Sequence, residues 1–434
     1  MTSTSPLLER CGAEPLALHG GAGVSVDAFL DDVAGTAAAL PQASLLINVC
    51  EQRYRFMVAF FAAVLGGRTN LLPATRTPQA LDQLARRYPG ALPLDDRLVS
   101  GRPATPDIDR CGDTHIDDAR PAAIAFTSGS TGEPQPNAKY WGTLRRASRQ
   151  HAAQLDAGAG TATIVATVPP WHMYGLEWSV LIAAVAPLTV YCGETFYPDD
   201  VRRGLAAADG RRILVTTPIH LRALLRSGSR YPAVDTIVCA TAPLELELAR
   251  EAEDRLGARL LEIYGCTEAG TLAHRWPTRD AAWRLFPGFE LTVEDERAWL
   301  RGEFLAEPLA LADRIDVRRD GTFDLLGRWG DLVKVGGKRA SLADLTARLL
   351  AVPGVEDGVM VAPGDDQDSE RLCAVVVAPG LTAESVRRRL AEVLEPAFMP
   401  RPLRLVSELP RTRTGKLTRQ DLQTLLDDGD GGPL

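Results

Sequence analysis

The stretch Thr127-Ser128-Gly129-Ser130-Thr131-Gly132 directly follows the apolar run Ala122–Phe126. That run has the length and composition of a short buried strand, and a strand that ends in a Gly/Ser/Thr loop is typical of an α/β unit. Glycines allow tight backbone turns, and the hydroxyls together with exposed N–H groups could wrap a polyphosphate. Taken alone, the segment is equally compatible with an ordinary surface loop.

Two related loop motifs are excluded by neighbouring residues. A Walker loop needs G-x-x-x-x-G-K-[ST], but Glu133 follows Gly132. Near the other end of the chain, Pro410 stands where the first glycine would belong before Lys416. A nucleophile elbow needs G-x-S-x-G, and its first glycine is replaced here by Ser128. The sequence therefore supports neither a P-loop nor a serine hydrolase.

Outward from this loop, strand-like and helix-like stretches alternate up to about residue 330. The strand-like stretches are 43–50, 122–127, 163–168, 188–192, 212–216 and 236–240, and the helix-like stretches are 52–65, 218–225 and 246–256. This alternation predicts an α/β protein with a large N-terminal domain, residues 1–329, built from layered α/β subdomains with mostly parallel sheets.

The remainder of the chain has shorter elements. Helix-like stretches at 340–350 and 383–394 alternate with strand-like stretches at 355–361, 372–377 and 403–406. They predict a small α+β C-terminal domain at residues 330–426. The acidic, glycine-rich tail at 427–434 is predicted to be disordered.

Composition limits the possible function classes. The chain has 434 residues, 45% of them apolar, and its net charge of −8 argues against nucleic-acid binding. Its seven cysteines form no C-x-x-C pair, so neither a structural zinc site nor a disulfide framework is expected. The longest apolar runs, 57–65 and 180–191, are shorter than the roughly 20 residues that span a bilayer. We therefore expect a cytoplasmic protein with no membrane span.

A second motif, Tyr264-Gly265-Cys266-Thr267-Glu268, also follows a β-rich run. Glu268 could bind Mg²⁺, which prefers oxygen ligands. The alternative is a helix N-terminus, where Thr267 would cap the helix and Glu268 would favour its positive end. On this segment alone, the helix cap is the better interpretation.

Two further features carry charge. Asp313 precedes Gly327-Arg328, and a carboxylate with a nearby arginine suits a ribose diol, although a surface ion pair is the common alternative.

The late segment Pro410–Lys416 ends in Thr-Gly-Lys, and its lysine could neutralise charge developing on a phosphate or carboxylate. A solvated basic turn explains that segment equally well.

The order and spacing of these four features resemble the acyl-adenylate-forming superfamily, which includes acyl- and aryl-CoA ligases, nonribosomal adenylation domains and luciferases. The resemblance runs from about residue 45 to residue 420. More narrowly, Leu46–Pro73 resembles short bacterial ligases of aryl polyene, xanthomonadin-type pigment pathways, whose acid is 3-hydroxybenzoate. The resemblance implies ATP and Mg²⁺ as cofactors, a carboxylic acid as substrate, and an acyl carrier protein or CoA as acceptor.

Residue by residue, the resemblance implies that Thr127–Gly132 holds the β- and γ-phosphates. It makes Glu268 the Mg²⁺ ligand and Thr267 a contact of the α-phosphate. Lys416 would bridge the acyl carboxylate and the α-phosphate. The residues expected around the adenosine are Tyr264, Gly265, Thr241, Ala242, Pro243, Asp313 and Arg328.

The resemblance also implies an acid pocket and a moving small domain. Trp171–Gly175 resembles a P-x-x-H-x-x-G segment, in which His172 would close the pocket before adenylation and open it for the thiol. An ordinary buried histidine is the alternative. The neighbours expected at the pocket are Met173, Tyr174, Gly175 and Trp178, for which core packing is an equal explanation. The hinge would fall at Gly330 and Asp331, and the thiol tunnel at Gly336 and Gly337.

Three departures from the family pattern bear on function. The phosphate loop usually ends in Pro-Lys, but Gln135 follows Pro134 and the next lysine is Lys139. The segments before this loop and between Glu268 and Asp313 are also short. These departures keep two alternatives open: a relative that binds nucleotide or a carrier protein without catalysis, and an enzyme with a different second step such as lactone closure.

Overall fold

The structure is a computed structural model. It describes residues 3–73, 75–99, 114–127, 135–156, 160–303, 305, 307–329, 332–335, 338–362, 371–412, 415, 417 and 419–427. The chain forms two compact units, residues 1–281 and 282–434. The boundary predicted at 329/330 lies later in the chain and stays a prediction.

The first unit contains most of the helices that the structure describes. Its helices are α1 (Val26–Ala39), α2 (Arg53–Leu65), α3 (Pro78–Arg87), α4 (Trp141–Gln154), α5 (Met173–Ser179), α6 (Pro198–Ala206), α7 (Pro218–Arg226) and α8 (Leu246–Leu256), with a 3₁₀ turn at Leu181–Ala184. Local sequence explains several starts: the Ser25, Thr77 and Thr217 side chains accept hydrogen bonds from the first turns of α1, α3 and α7. A proline then opens α3 and α7, where its missing N–H costs nothing.

The strands of the first unit are β1 (Thr4–Pro6), β2 (Pro15–His19), β3 (Ala22–Ser25), β4 (Leu45–Asn48), β5 (Thr69–Leu72), β6 (Leu92–Leu94), β7 (His115–Asp117), β8 (Pro121–Thr127), β9 (Gln135–Tyr140), β10 (Ala162–Ala166), β11 (Leu188–Tyr191), β12 (Arg211–Thr216), β13 (Thr236–Cys239), β14 (Arg259–Cys266) and β15 (Gly270–Trp276). They form two main sheets. One has the order β15-β14-β13-β12-β10-β11-β2-β3, and the other β6-β4-β5-β8-β9.

Both sheets are parallel except at their edges. All neighbours from β14 to β2 run parallel, as do those from β6 to β8. Every residue of β10 and β13 is buried, as expected for parallel strands that are covered on both faces. Leu214 and Ile237 pack with Leu224 and Leu248 of the covering helices. The predicted α/β class with mostly parallel sheets is confirmed.

The second unit has smaller sheets. Its strands are β16 (Asp280–Leu285), β17 (Phe289–Glu294), β18 (Arg297–Gly302), β19 (Leu309–Ala310), β20 (Asp313–Val317), β21 (Phe323–Arg328), β22 (Leu332–Val335), β23 (Lys338–Ser341), β24 (Asp357–Val361), β25 (Cys373–Val377) and β26 (Leu403–Leu405). Its helices are α9 (Leu342–Leu350), α10 (Ala383–Leu390) and α11 (Arg419–Asp427), with a 3₁₀ turn at Pro396–Phe398.

The C-terminal part of this unit has the predicted α+β character. Strands β24, β25 and β26 form one mixed sheet, with β24 antiparallel and β26 parallel to β25. Helices α9 and α10 pack on it through Leu345, Leu349 and Leu390, against Val376 of β25. Helix α9 begins where Ser341 accepts a hydrogen bond from the Asp344 N–H.

Candidate active site

Three predicted site segments lie at one edge of the large sheet. Residues 169–175 follow β10, residues 241–243 follow β13, and residues 264–268 end β14. Strands β10, β12, β13 and β14 are parallel neighbours, so their carboxyl ends share one edge. Ligands of open α/β sheets bind outside this edge. The structure therefore brings the predicted acid, adenine and metal segments together.

The predicted metal ligand lies on a tight turn. Thr267, Glu268 and Ala269 connect β14 to the antiparallel β15, so the helix N-terminus considered for this segment is wrong. Gly265 is required here, because a Cβ at that position would collide with the backbone of Gly270. Glu268 is exposed at the turn. An exposed carboxylate suits Mg²⁺, which commonly takes one or two carboxylates plus phosphate oxygens.

We also searched the described residues for clusters of side chains that could bind a metal. Among the residues that the structure describes, no group of three His, Cys, Asp or Glu side chains could hold a metal. These residues therefore form no dedicated all-protein metal cage.

Thr241 has a strained backbone. Its φ of +85° lies in the left-handed region, which a β-branched residue rarely adopts. The residue follows β13 directly at the carboxyl edge, next to the end of β14. Strain of this kind persists only where surrounding structure fixes it, and it concentrates at ligand-binding sites. The observation fits a segment that is shaped to approach a nucleotide base.

Thr241→Gly should relieve this strain. We expect the variant to gain about 1 kcal/mol of unfolding free energy, because glycine adopts a positive φ without a Cβ clash. Ala242→Gly is the matched control and should lose about 0.5–1 kcal/mol through the greater freedom of the unfolded chain. Urea unfolding of the two variants measures both effects. Equal losses in both would contradict the strain at Thr241.

The His172 segment is shaped by contact with a proline turn. The His172 N–H donates to the Pro169 carbonyl at 3.3 Å, and α5 begins at the next residue. A Cβ on Gly175 would collide with the same carbonyl, so the spacing P-x-x-H-x-x-G has a steric cause. His172 is half-buried at the carboxyl edge of β10.

Two predicted pocket residues have their polar atoms bonded inside the protein. The Tyr174 hydroxyl donates to the carbonyls of Thr216 and Val238 at 3.0 and 2.7 Å. The Trp178 indole N–H donates to Thr271 Oγ1 at 3.0 Å, and the side chain is 0% exposed. Trp178 therefore belongs to the core, and the packing interpretation replaces its predicted place at the pocket surface. Met173 and Tyr174 are also buried, each 6% exposed.

Trp178 stacks on a fully buried histidine. The ring centroids of His151 and Trp178 are 4.6 Å apart with a 17° angle between the planes. Burial, followed by the influence of His274, lowers the pKa of His151 to about 3. The folded protein thus keeps this imidazole neutral while the unfolded chain protonates it near its ordinary value.

In the His151→Phe variant, the free energy of unfolding should depend less on pH in the acidic range than it does in the wild type. Below the unfolded pKa, protons bind the unfolded chain preferentially, so stability falls with pH by up to about 1.4 kcal/mol per unit down to about pH 3. The phenylalanine variant lacks this loss. Urea unfolding at pH 7, 6 and 5 would show its deficit against wild type shrinking as the pH falls. Parallel curves would contradict the buried neutral histidine.

A polar cluster that was not predicted lies at the same edge. Thr167 Oγ1 lies 2.9 Å from both Thr216 Oγ1 and His220 Nδ1, between the ends of β10 and β12. Burial lowers the pKa of His220. The cluster offers hydrogen-bonding groups beside the His172 segment. A histidine two residues after a strand-ending Thr-Pro could have pointed to it.

Arg53 is a second residue near the site that was not predicted. It opens α2 and is buried, with Nη1 donating to Ser179 Oγ at 2.6 Å. Nη2 donates to the carbonyls of Ala166 and Val168 at 3.0 and 2.6 Å. Burial lowers the pKa of Arg53 to about 10. The side chain ties the end of β10 to the end of α5, on both sides of His172.

In the second unit, Asp313 and Arg328 occupy paired backbone positions. They are directly opposed in the antiparallel pair β20–β21. Asp313 is half-buried. The structure thus brings together the two residues expected at the ribose, although they are separated in sequence.

Several predicted residues lie outside the described part of the chain: Ser128–Gly132, Gly330, Asp331, Gly336, Gly337 and Lys416, together with the tail from 428. The ends of the phosphate loop are described. Thr127 and Gln135 are opposed in the β8–β9 pair, so the loop connects two paired strands.

Sequence comparison identifies relatives over most of the chain. Residues 91–299 match the family of AMP-binding enzymes, and residues 346–416 match the AMP-binding enzyme C-terminal domain. A 4-coumarate–CoA ligase of Halorhodospira halophila is 30% identical over 336 residues, which cover 75% of this chain and 81% of the relative. The 4-coumarate–CoA ligase of Rhodobacter capsulatus is 30% identical over 68% of this chain and 74% of its own length.

Solved structures share the fold. ATP-bound MatB of Rhodopseudomonas palustris superposes with a TM-score of 0.76 at 20% identity, covering 96% of both chains. The o-succinylbenzoate CoA synthetase of Bacillus subtilis, in complex with its acyl-adenylate, gives 0.78 at 18% identity and covers 97% of this chain and 96% of its own. Within the described residues, every helix is too short or too polar to cross a membrane. On these matches, the chain belongs to the AMP-binding enzymes of the acyl-adenylate-forming superfamily.

Proposed function

We propose that this chain uses ATP and Mg²⁺ to convert an aromatic carboxylic acid, first of all 3-hydroxybenzoate, into an acyl-adenylate. It then passes the acyl group to the phosphopantetheine thiol of an acyl carrier protein or of CoA. One observation carries the proposal: residues 169–175, 241–243 and 264–268 meet at the carboxyl edge of one sheet. Adenylation needs an acid pocket, a base pocket and a metal ligand within reach of each other.

The reaction has two steps. The carboxylate oxygen of the acid attacks the α-phosphorus of ATP, the bond to the β-phosphate oxygen breaks, and pyrophosphate leaves. The thiol then loses its proton to solvent as its sulfur attacks the acyl carbon, and AMP leaves with the oxygen that joined it to the acyl group. Positioning and charge neutralisation supply most of the catalysis in such transfers.

Different residues of the protein would contribute to these two steps. Glu268 would supply an oxygen ligand to Mg²⁺, which neutralises phosphate charge when bound. Thr267 would contact the α-phosphate, and Tyr264 would lie beside the adenine. Asp313, opposed to Arg328 across β20–β21, would accept hydrogen bonds from the ribose hydroxyls. Lys416 would bridge the acid and the α-phosphate.

The nature of the acid is the finer part of the proposal. The two relatives described above are ligases of 4-coumarate, a hydroxylated aromatic acid. Thr167 and His220, which are half-buried, place hydrogen-bonding groups at the edge that carries His172, whereas Thr216 is fully buried. A site that hydrogen-bonds a substrate hydroxyl discriminates strongly against the analogue that lacks it. A hydroxyl on the ring is therefore favoured over an unsubstituted ring.

The test is a pyrophosphate-release screen. Purified protein with ATP and Mg²⁺ is offered benzoate, the three hydroxybenzoates, cinnamates and short to long fatty acids, with reactions lacking acid or Mg²⁺ as controls. We expect hydroxylated aromatic acids to give the highest rates. Product analysis with CoA and with a phosphopantetheinylated carrier protein identifies the acceptor. No acid-dependent release with any member of the panel would overturn the proposal.

A further inference from the structure

A buried lysine reaches the backbone of the predicted metal ligand. Lys139 lies on β9 and is only 6% exposed. Its Nζ donates to the main-chain carbonyl of Glu268 at 2.6 Å, across 129 positions of sequence. A hydrogen bond from a charged donor is stronger than a neutral one, more so in a low-dielectric interior. The Lys139 ammonium thus holds the Glu268 backbone in place.

A buried carboxylate balances this charge. Glu177 of α5 is 4% exposed and accepts hydrogen bonds from the Thr271 N–H at 3.1 Å and from Thr271 Oγ1 at 2.7 Å. Burial lowers the pKa of Lys139, and the Glu177 charge opposes that shift. Burial likewise raises the pKa of Glu177, while Thr271 and Lys139 oppose that shift. Each charge thus makes the burial of the other tolerable.

Together the two side chains hold both sides of the Glu268 turn. Lys139 binds the carbonyl within the turn, and Glu177 binds the start of β15 just after it. Gly270 has a φ of +77°, and a Cβ there would collide with the Glu177 carboxylate. The backbone of the turn is therefore fixed from inside, while the Glu268 side chain is exposed outside.

Lys139 could instead replace the lysine that the phosphate loop lacks. Its geometry argues against this role. The loop joins the strands where Thr127 opposes Gln135, whereas Lys139 opposes Ala123, further along the same pair. The side chain is buried and already bonded to the Glu268 carbonyl.

We propose that Lys139, balanced by Glu177, is a positioning residue that sets the Glu268 carboxylate for the Mg²⁺ complex of ATP. The inference rests on the proposed function, because it takes Glu268 as the metal ligand. Groups that orient metal ligands through a second contact usually contribute 10–100-fold to metal affinity. Loss of the Lys139 ammonium should have an effect of that size.

The test compares Lys139→Met with Arg145→Met. Arg145 is also a buried cation of the first unit, but it pairs with Glu9 and not with the turn. Mn²⁺ binding is measured by electron paramagnetic resonance with a non-hydrolysable ATP analogue present. We expect the Mn²⁺ dissociation constant to rise about 10–100-fold in Lys139→Met and to stay near wild type in Arg145→Met. Equal dissociation constants in both folded variants would overturn the inference.

A second variant covers the case in which Lys139→Met does not fold. Glu177→Gln keeps the shape and the acceptor oxygen for Thr271 but leaves Lys139 without its balancing charge. It should weaken Mn²⁺ binding in the same direction, and unchanged binding would overturn the inference. Wild-type protein that binds Mn²⁺ and nucleotide but releases no pyrophosphate with any acid would instead refute only the proposed function.

Discussion

Lys416→Ala is expected to slow acid-dependent pyrophosphate release by about 10²–10³-fold, the usual cost of removing one preorganised group that neutralises charge in the transition state. The family resemblance assigns this lysine to the first step alone. Thiol transfer from a preformed acyl-adenylate should therefore stay near the wild-type rate. Rapid-quench measurement of each half-reaction separates the two effects.

Lys416→Arg serves as the control for charge. It keeps a cation on the same segment but changes its shape and reach, so partial activity in the first step is expected. An equal loss in both half-reactions of Lys416→Ala would contradict the assigned role. Melting temperatures of all variants are measured in parallel, so that a loss of rate is separated from a loss of folding.

Glu268→Gln should lower the adenylation rate by at least about 10²-fold, equivalent to roughly 3 kcal/mol of transition-state stabilisation. The substitution keeps the size of the side chain and leaves the backbone turn and its bond to Lys139 in place. It removes the charge that would bind the metal. The Mg²⁺ concentration for half-maximal pyrophosphate release should rise as well.

Glu251→Gln is the matched control for Glu268→Gln. Glu251 lies on α8, is exposed and pairs with Arg255 of the same helix. Its loss should leave the Mg²⁺ titration unchanged, because exposed ion pairs contribute little. If the two glutamine variants behaved alike, Glu268 would not be the metal ligand.

Much of the fold follows from local pattern. Runs such as 163–168 and 236–240 are rich in β-branched and apolar residues because parallel strands are covered on both faces, and they appear as β10 and β13. The convergence of the site segments follows too, since the carboxyl ends of neighbouring parallel strands share an edge. The family resemblance assigned these segments to one site, and the strand order explains why they lie at the same edge.

The parts that could not be predicted depend on contacts between distant residues. Thr267-Glu268 has the local pattern of a helix N-terminus, but pairing of β14 with β15 makes it a hairpin turn. The hydrogen bond from Lys139 to Glu268 joins residues 129 positions apart, and no local sequence pattern indicates such a contact. The burial of Trp178 beside His151 likewise depends on how α5 packs against α4, which its own sequence does not reveal.

Helix α5 is only seven residues long, yet it contains both Tyr174 of the acid segment and Glu177, which bonds to the start of β15 beside the turn of Glu268. Attempts to broaden the range of acids by randomising this helix would therefore disturb metal binding at the same time. A library aimed at new acids has a safer target in α7, where His220 reaches the same edge from a separate helix. Substrate redesign and preservation of the nucleotide chemistry can then be pursued on different elements.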